Sequence, residues 1–118
     1  MQTKLFESEA KVMEILWERG SITAKEVSLI AAERLGWNKN TTYTVIKKLV
    51  AKGVIERGEP NFICTPLITR KEAQKAEAES LVERVFGGSR RALFSSLLGG
   101  EKLTDEEIAE LKELIENR

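Results

Sequence analysis

Apolar residues recur three and four apart from near the start of the chain. Val12, Met13, Leu16 and Trp17 share one helical face over about residues 8–19, and Val27, Ile30, Ala31 and Leu35 do so over 24–35. A third stripe, Thr42, Val45, Ile46 and Leu49, runs through 39–52. At about 100° per residue its four members fall in one arc of roughly 100°, a face to be buried. After Gly53 the period shortens. Val54–Arg57 and Phe62–Thr65 are strand-like runs around Gly58-Glu59-Pro60-Asn61, a turn-forming composition that predicts a β-hairpin. Pro66 then breaks the chain, and three further helices are expected at about 70–86, 90–98 and 105–117.

The helix starts are marked by side-chain chemistry. Thr-x-x-Glu occurs at Thr23–Glu26, Thr69–Glu72 and Thr104–Glu107, so each threonine can cap an N3 amide while the glutamate returns to the N-cap amide. Ile22 with Val27 and Leu103 with Ile108 have the spacing of hydrophobic staples. Glycines stand where helices should stop, and Leu35-Gly36-Trp37-Asn38 reads as a tight turn with Asn38 capping the next helix. The order helix, helix, turn, helix, hairpin is that of a winged helix-turn-helix. The expected fold is mostly α with a small β-hairpin: a winged helix over 1–68 and a helical region over 69–118.

Composition narrows the chemistry. The 118 residues contain no histidine and one cysteine, which removes Ser-His-Asp and Cys-His nucleophile pairs and the usual zinc sets. Neither GxxxxGK[ST] nor GxGxxG is present to cradle a phosphate. The reading is of a non-enzyme without a cofactor or metal. Cys64 alone can form no internal disulfide and is expected to be a half-buried strand residue. With no apolar run long enough to span a bilayer and no secretory h-region, a cytoplasmic protein without membrane insertion is expected.

The net charge of zero conceals two unlike halves. Residues 1–70 hold 11 Lys/Arg against 8 Asp/Glu, whereas residues 71–118 hold 8 against 11. The window 38–58 is the most basic, with Lys39, Lys47, Lys48, Lys52 and Arg57 against Glu56. Its helix carries Asn40, Thr44, Lys47, Lys48 and Ala51 opposite the apolar stripe, with Thr41 and Tyr43 on the flanks. Asn and Thr suit base edges and Lys suits phosphates, so this is the expected recognition helix. Its amino terminus, with free amides, also favours phosphate. The candidate DNA-binding residues are Asn38, Lys39, Asn40, Thr41, Tyr43, Thr44, Lys47, Lys48 and, on the wing, Arg57. Glu59 is expected to point away. The competing reading of the same face is a protein-interaction module whose lysines dock on an acidic partner without sequence-specific DNA binding.

The second half carries more apolar side chains than some fifty residues can bury alone. Leu81, Val85, Phe86, Leu93, Phe94, Leu97, Leu98, Ile108, Leu111 and Ile115 are the candidate dimerisation residues, and a twofold homodimer is the commonest way to cover such a face.

The stretches VMEILWERGSITAKEV, LGWNKNTTYTVIKKLVAKGVI and ICTP, with the acidic LTDEEIAELKELI, resemble the penicillinase-repressor (BlaI/MecI/CopY) family of bacterial winged-helix repressors. The resemblance covers nearly the whole chain. It implies a homodimer that binds a palindromic double-stranded operator and blocks transcription, with DNA-contacting positions at Asn40, Thr41, Thr44 and Lys48. It further implies derepression through loss of the dimeric C-terminal region, and it makes a membrane sensor protease a candidate partner. Three departures stand out. Relatives often open the recognition helix with Ser-Pro-Lys-Thr, where this chain has Asn38-Lys39-Asn40-Thr41; Asn can pair bidentately with adenine where Lys favours guanine. The Asn-Phe bond cut in the β-lactam branch corresponds to Ser96-Leu97, and the C-terminal cysteine cluster of the copper-responsive branch is missing.

Overall fold

A computed structural model describes residues 4–99 and 103–117. The elements, in chain order, are α1 (Glu7–Arg19), β1 (Ile22–Thr23), α2 (Ala24–Leu35), α3 (Lys39–Ala51), β2 (Ile55–Gly58), β3 (Ile63–Pro66), α4 (Arg70–Val85), α5 (Arg90–Leu98) and α6 (Asp105–Glu116). Among the described residues no helix is long and apolar enough to cross a membrane.

All three Thr-x-x-Glu pairs form reciprocal caps. Glu26, Glu72 and Glu107 each donate a backbone N–H to the threonine hydroxyl, and their carboxylates accept from the threonine N–H in return. Such a cap contributes about 1 kcal/mol. Gly36 closes α2 in the left-handed region, φ 70°, and its N–H reaches back to the carbonyls of Ala31 and Ala32. A side chain is strained in that conformation, which is why glycine occupies this turn.

The chain divides into two compact units, residues 1–80 and 81–118. In the first, α1, α2 and α3 pack on one another and on a three-stranded antiparallel sheet of order β1-β3-β2. Val12, Met13, Leu16, Val27, Ala31, Ile46 and Leu49 are fully buried, as their spacing predicts. Ile15 and Ala24 join them, while Trp17, Ile30 and Leu35 pack at the margin, half-buried. Trp17 is held there because its Nε1 donates to the Ile68 carbonyl at 3.0 Å.

The sheet differs from the expected hairpin in three ways. A third strand, Ile22–Thr23, joins the hairpin, pairing Ile22 with Cys64 and Thr23 with Ile63. The hairpin strands lie one residue later than expected. Val54 lies in the capping turn just past α3, its N–H bonded to the Leu49 carbonyl, and Phe62 has φ 52°, outside the extended region. Pro66, expected to break the chain, is instead the last residue of β3, opposite Ile55; β1 no longer flanks β3 there, so a residue without an N–H is tolerated. Cys64 is wholly buried rather than half-buried, because its side chain lies on the face of β3 that packs into the core, whereas that of its neighbour Ile63 is exposed. Burial pushes its thiol up to about 11, while Arg57 acts weakly in the other direction.

The units divide inside α4 and not at the 68/69 break read from the sequence. Arg70 forks onto Glu14 of α1 with bonds of 3.1 and 2.8 Å, and Ala73 is buried, so the first turns of α4 belong with the winged helix. The second unit comprises the end of α4 with α5 and α6. Neither α5 nor α6 has a buried residue.

Candidate nucleic-acid interface

Helix α3 is fixed on its inner side by Thr42, Val45, Ile46 and Leu49, all buried. Asn38 caps it, its Oδ1 accepting the Thr41 N–H at 2.8 Å. The Asn38 oxygen is therefore engaged by the helix, while its NH2 group is directed to no partner in the helix cap. The Thr44 hydroxyl bonds the Asn40 carbonyl one turn back at 2.8 Å, which fixes its rotamer and leaves its oxygen free to accept. Lys39, Asn40, Thr41, Thr44, Lys47, Lys48 and Ala51 are all exposed. Asn40, Thr44, Lys47 and Ala51 lie within roughly 60° of one another around the axis, with Lys48 and Thr41 at one edge.

The cations of this region fall into three classes. Lys47 and Lys48 have no carboxylate partner among the described residues. Lys39 is likewise unpaired, with its ammonium 5.7 Å from the centre of the Tyr43 ring. Lys52 turns the other way. Its Nζ bonds Glu9, which is 2% exposed, and the Lys4 carbonyl at 2.9 Å, with the Phe6 ring 4.6 Å beneath it. This pair ties the end of α3 to the start of α1, so Lys52 adds nothing to the positive face on which the sequence window counted it. Glu9 also takes the Phe6 N–H at the first turn of α1, which leaves the buried carboxylate well satisfied.

Arg57 is the third class. Its Nε donates to Glu59 at 2.6 Å, and its guanidinium lies 3.8 Å from the centre of the Phe62 ring. Glu59 thus turns toward Arg57, against the expectation that it points away, because attraction to the neighbouring cation decides its rotamer. Phe62 meets Tyr43 edge-on, 6.1 Å between centroids at 81°. Tyr43 is accordingly half-buried, a link between α3 and the wing more than a free reader. The sequence pattern does not mark Phe62 or the Arg57–Glu59 pair, because Glu59 lies in the turn just past β2, where strand periodicity no longer fixes which way a side chain points.

Against this geometry, the sequence profile of the penicillinase repressor family matches residues 5–117. The chain belongs to the penicillinase repressor family. It is 25% identical over 115 residues to the penicillinase repressor of Bacillus licheniformis, covering 96% of this chain and 90% of that one. It is 24% identical to the methicillin resistance regulatory protein MecI of Staphylococcus aureus (strain N315), across 100% of both chains. Among solved structures, the DNA-binding domain of the repressor BlaI superposes with a TM-score of 0.55 at 25% identity, covering 59% of this chain and 88% of that domain. The family is one of repressors, not of enzymes. In the penicillinase repressor fold α2, the Gly36 turn and α3 make the helix-turn-helix, and β2–β3 the wing.

The second unit gathers many of the remaining candidates. Phe94, Leu98, Ile108, Leu111 and Ile115, joined by Leu103, line an open apolar groove of about 640 Å³ between α5 and α6. Leu97 and Val85 are exposed outside that groove, at 62% and 61%. Leu81, Phe86 and Leu93 are half-buried.

Proposed function

We propose that this chain is a homodimeric, cytoplasmic transcriptional repressor that grips a palindromic double-stranded operator with one α3 per half-site. The observation that carries the reading is the outer face of α3. It presents Asn40, Thr41 and Thr44 together with the unpaired Lys47 and Lys48, on a winged helix resembling a solved DNA-binding domain. In this reading Asn40 and Thr44 meet base edges, and Lys39, Lys47 and Lys48 meet phosphates. Asn38 contributes its NH2 group, and Tyr43 acts mainly by holding the wing against α3. Three lysine–phosphate contacts per subunit correspond to a log–log salt slope of about −5 for a dimer.

The dimer follows from the C-terminal unit. A second copy covers the groove between α5 and α6 and sets two recognition helices about one turn of duplex apart, roughly 34–36 Å. Derepression is then any event that separates the copies. Cleavage near Ser96-Leu97 by a membrane sensor protease is one such event, since both residues lie exposed on α5.

The test is fluorescence anisotropy on a selected operator, run as a salt series with substituted proteins. Lys48→Ala is expected to weaken binding to every duplex and to reduce the salt slope by about one unit per contact removed. Asn40→Ala is expected to erode discrimination at one base pair by about 1–3 kcal/mol with little change in slope. Unaltered affinity in both proteins removes α3 as the recognition face. The surface would then read as a protein-docking module.

A further inference from the structure

We propose that Glu59 is an internal stand-in for phosphate, which neutralises the wing's single cation, Arg57, and withholds it from DNA at large. The inference rests on the reading of α3 as a DNA interface and assigns a regulating residue to that same surface.

The wing holds its cation by two independent means. One is the ion pair, Arg57 Nε to Glu59 at 2.6 Å. The other is stacking: the guanidinium sits 3.8 Å from the centre of the Phe62 ring, and Phe62 is braced edge-on by Tyr43 of α3. The Phe62 carbonyl also accepts the Ala24 N–H at 2.9 Å, so this residue is tied to the start of α2 as well. Arg57 is thereby retained beside α3 whether or not Glu59 is present.

The pair is built to exchange. Both side chains are substantially exposed, 46% for Arg57 and 61% for Glu59. An ion pair in that setting contributes only about 0–1 kcal/mol. Glu59 engages Nε alone, and the two Nη groups have no partner among the described residues. A phosphodiester offers the same charge and can accept from the guanidinium fork in two bonds, so it can replace one carboxylate bond. While Glu59 remains in place, the wing presents a neutral pair to any passing duplex, and affinity for DNA at large stays low.

The test uses the full chain and a random-sequence duplex, so no operator need be known. Anisotropy titrations across a salt series compare the unaltered protein with Glu59→Gln, Arg57→Gln and the double substitution. Each wing freed to take a phosphate steepens the slope by about 0.9, which corresponds to roughly eightfold tighter binding at about 0.1 M salt relative to 1 M. Glu59→Gln is expected to show that gain, and the gain is expected to vanish in the Arg57→Gln background. Three results overturn the proposal. They are an unchanged affinity in Glu59→Gln, a weaker one, and an equal gain with and without Arg57, which would make Glu59 a simple repulsive charge. Failure of the unaltered protein to bind any duplex at low salt is a different outcome, and it removes the DNA-binding reading itself.

Discussion

The two units spend similar sequence patterns very differently. In the winged helix the stripes of α1, α2 and α3 face one another and the sheet, so Met13, Leu16, Ile46 and Leu49 are fully buried. In the C-terminal unit the stripes are just as regular, yet Phe94, Leu97, Leu98 and Ile115 remain 52–63% exposed. Full burial of one such side chain stabilises by about 1.5–3 kcal/mol, so a single copy of the second unit forgoes what the first has gained. Amphipathic spacing states that a face needs covering. It does not state whether the cover comes from the same chain. The first unit supplies its own cover, and in the proposed dimer the second obtains it from another copy.

The sharpest way to break that comparison is to charge the uncovered face. Phe94→Asp with Ile115→Asp is expected to convert a dimer to a monomer in sedimentation equilibrium. The loss of the second half-site should lower operator affinity by about 10²–10⁴-fold. Helical content of the winged helix should survive in circular dichroism; a pair of substitutions that leaves both mass and affinity unchanged contradicts the C-terminal assignment.

Truncation in the closed core comes next. Leu49→Ala should cost about 2–5 kcal/mol in denaturant unfolding, because the cavity lies under α3. Leu114→Ala, at a residue 70% exposed, should cost under about 0.5 kcal/mol. Comparable losses at the two positions would erase the distinction between the units.

Within the winged helix, Lys52 and Lys48 form a smaller contrast. Lys52→Met leaves the Glu9 carboxylate buried without its cation, and should cost about 3 kcal/mol of stability, the low end for a broken buried pair because Lys52 is partly exposed, while leaving the salt slope of DNA binding unaltered. Lys48→Ala should do the reverse. A shallower slope in Lys52→Met would place that lysine on the DNA after all.

The smallest effect concerns Cys64. Its thiol is raised from an ordinary 9.0 to about 11, so the unfolded chain releases its proton first as pH rises. The folded state therefore gains stability from this group below about pH 9 and loses it progressively as pH approaches 11. Cys64→Ala should flatten this part of the stability profile. Alkylation of the native protein at pH 8 should be slow, and rapid labelling would contradict the burial of β3.

Much of the winged helix was legible because its signals are local. Threonine–glutamate caps, glycine stops and three- and four-residue spacing each act within one turn, and they locate α1, α2, α3 and the core face of α3. What the pattern did not carry depends on chain segments far apart. A two-residue strand such as β1 has no periodicity, and only pairing with Ile63 and Cys64 makes it one. The Lys52–Glu9 bond joins residues 43 apart, so the sequence window counted Lys52 among free cations. Trp17 sits at the margin for a similar reason: its indole N–H seeks a carbonyl 51 residues away. The exposure of Asn40, Thr41, Thr44, Lys47 and Lys48 was legible, since it follows from what the opposite face must bury, whereas the half-burial of Tyr43 against Phe62 was not. The neutralised Arg57 was not, although its partner stands only two residues on.

One measurement bears most directly on the whole: selection of genomic fragments by the purified full chain, followed by competition against random DNA across a salt series. Enrichment of a short palindrome, bound by two copies with a slope near −5, is the expected result. No enrichment over random DNA at any salt contradicts it, and would leave a winged helix whose exposed lysines serve a protein partner.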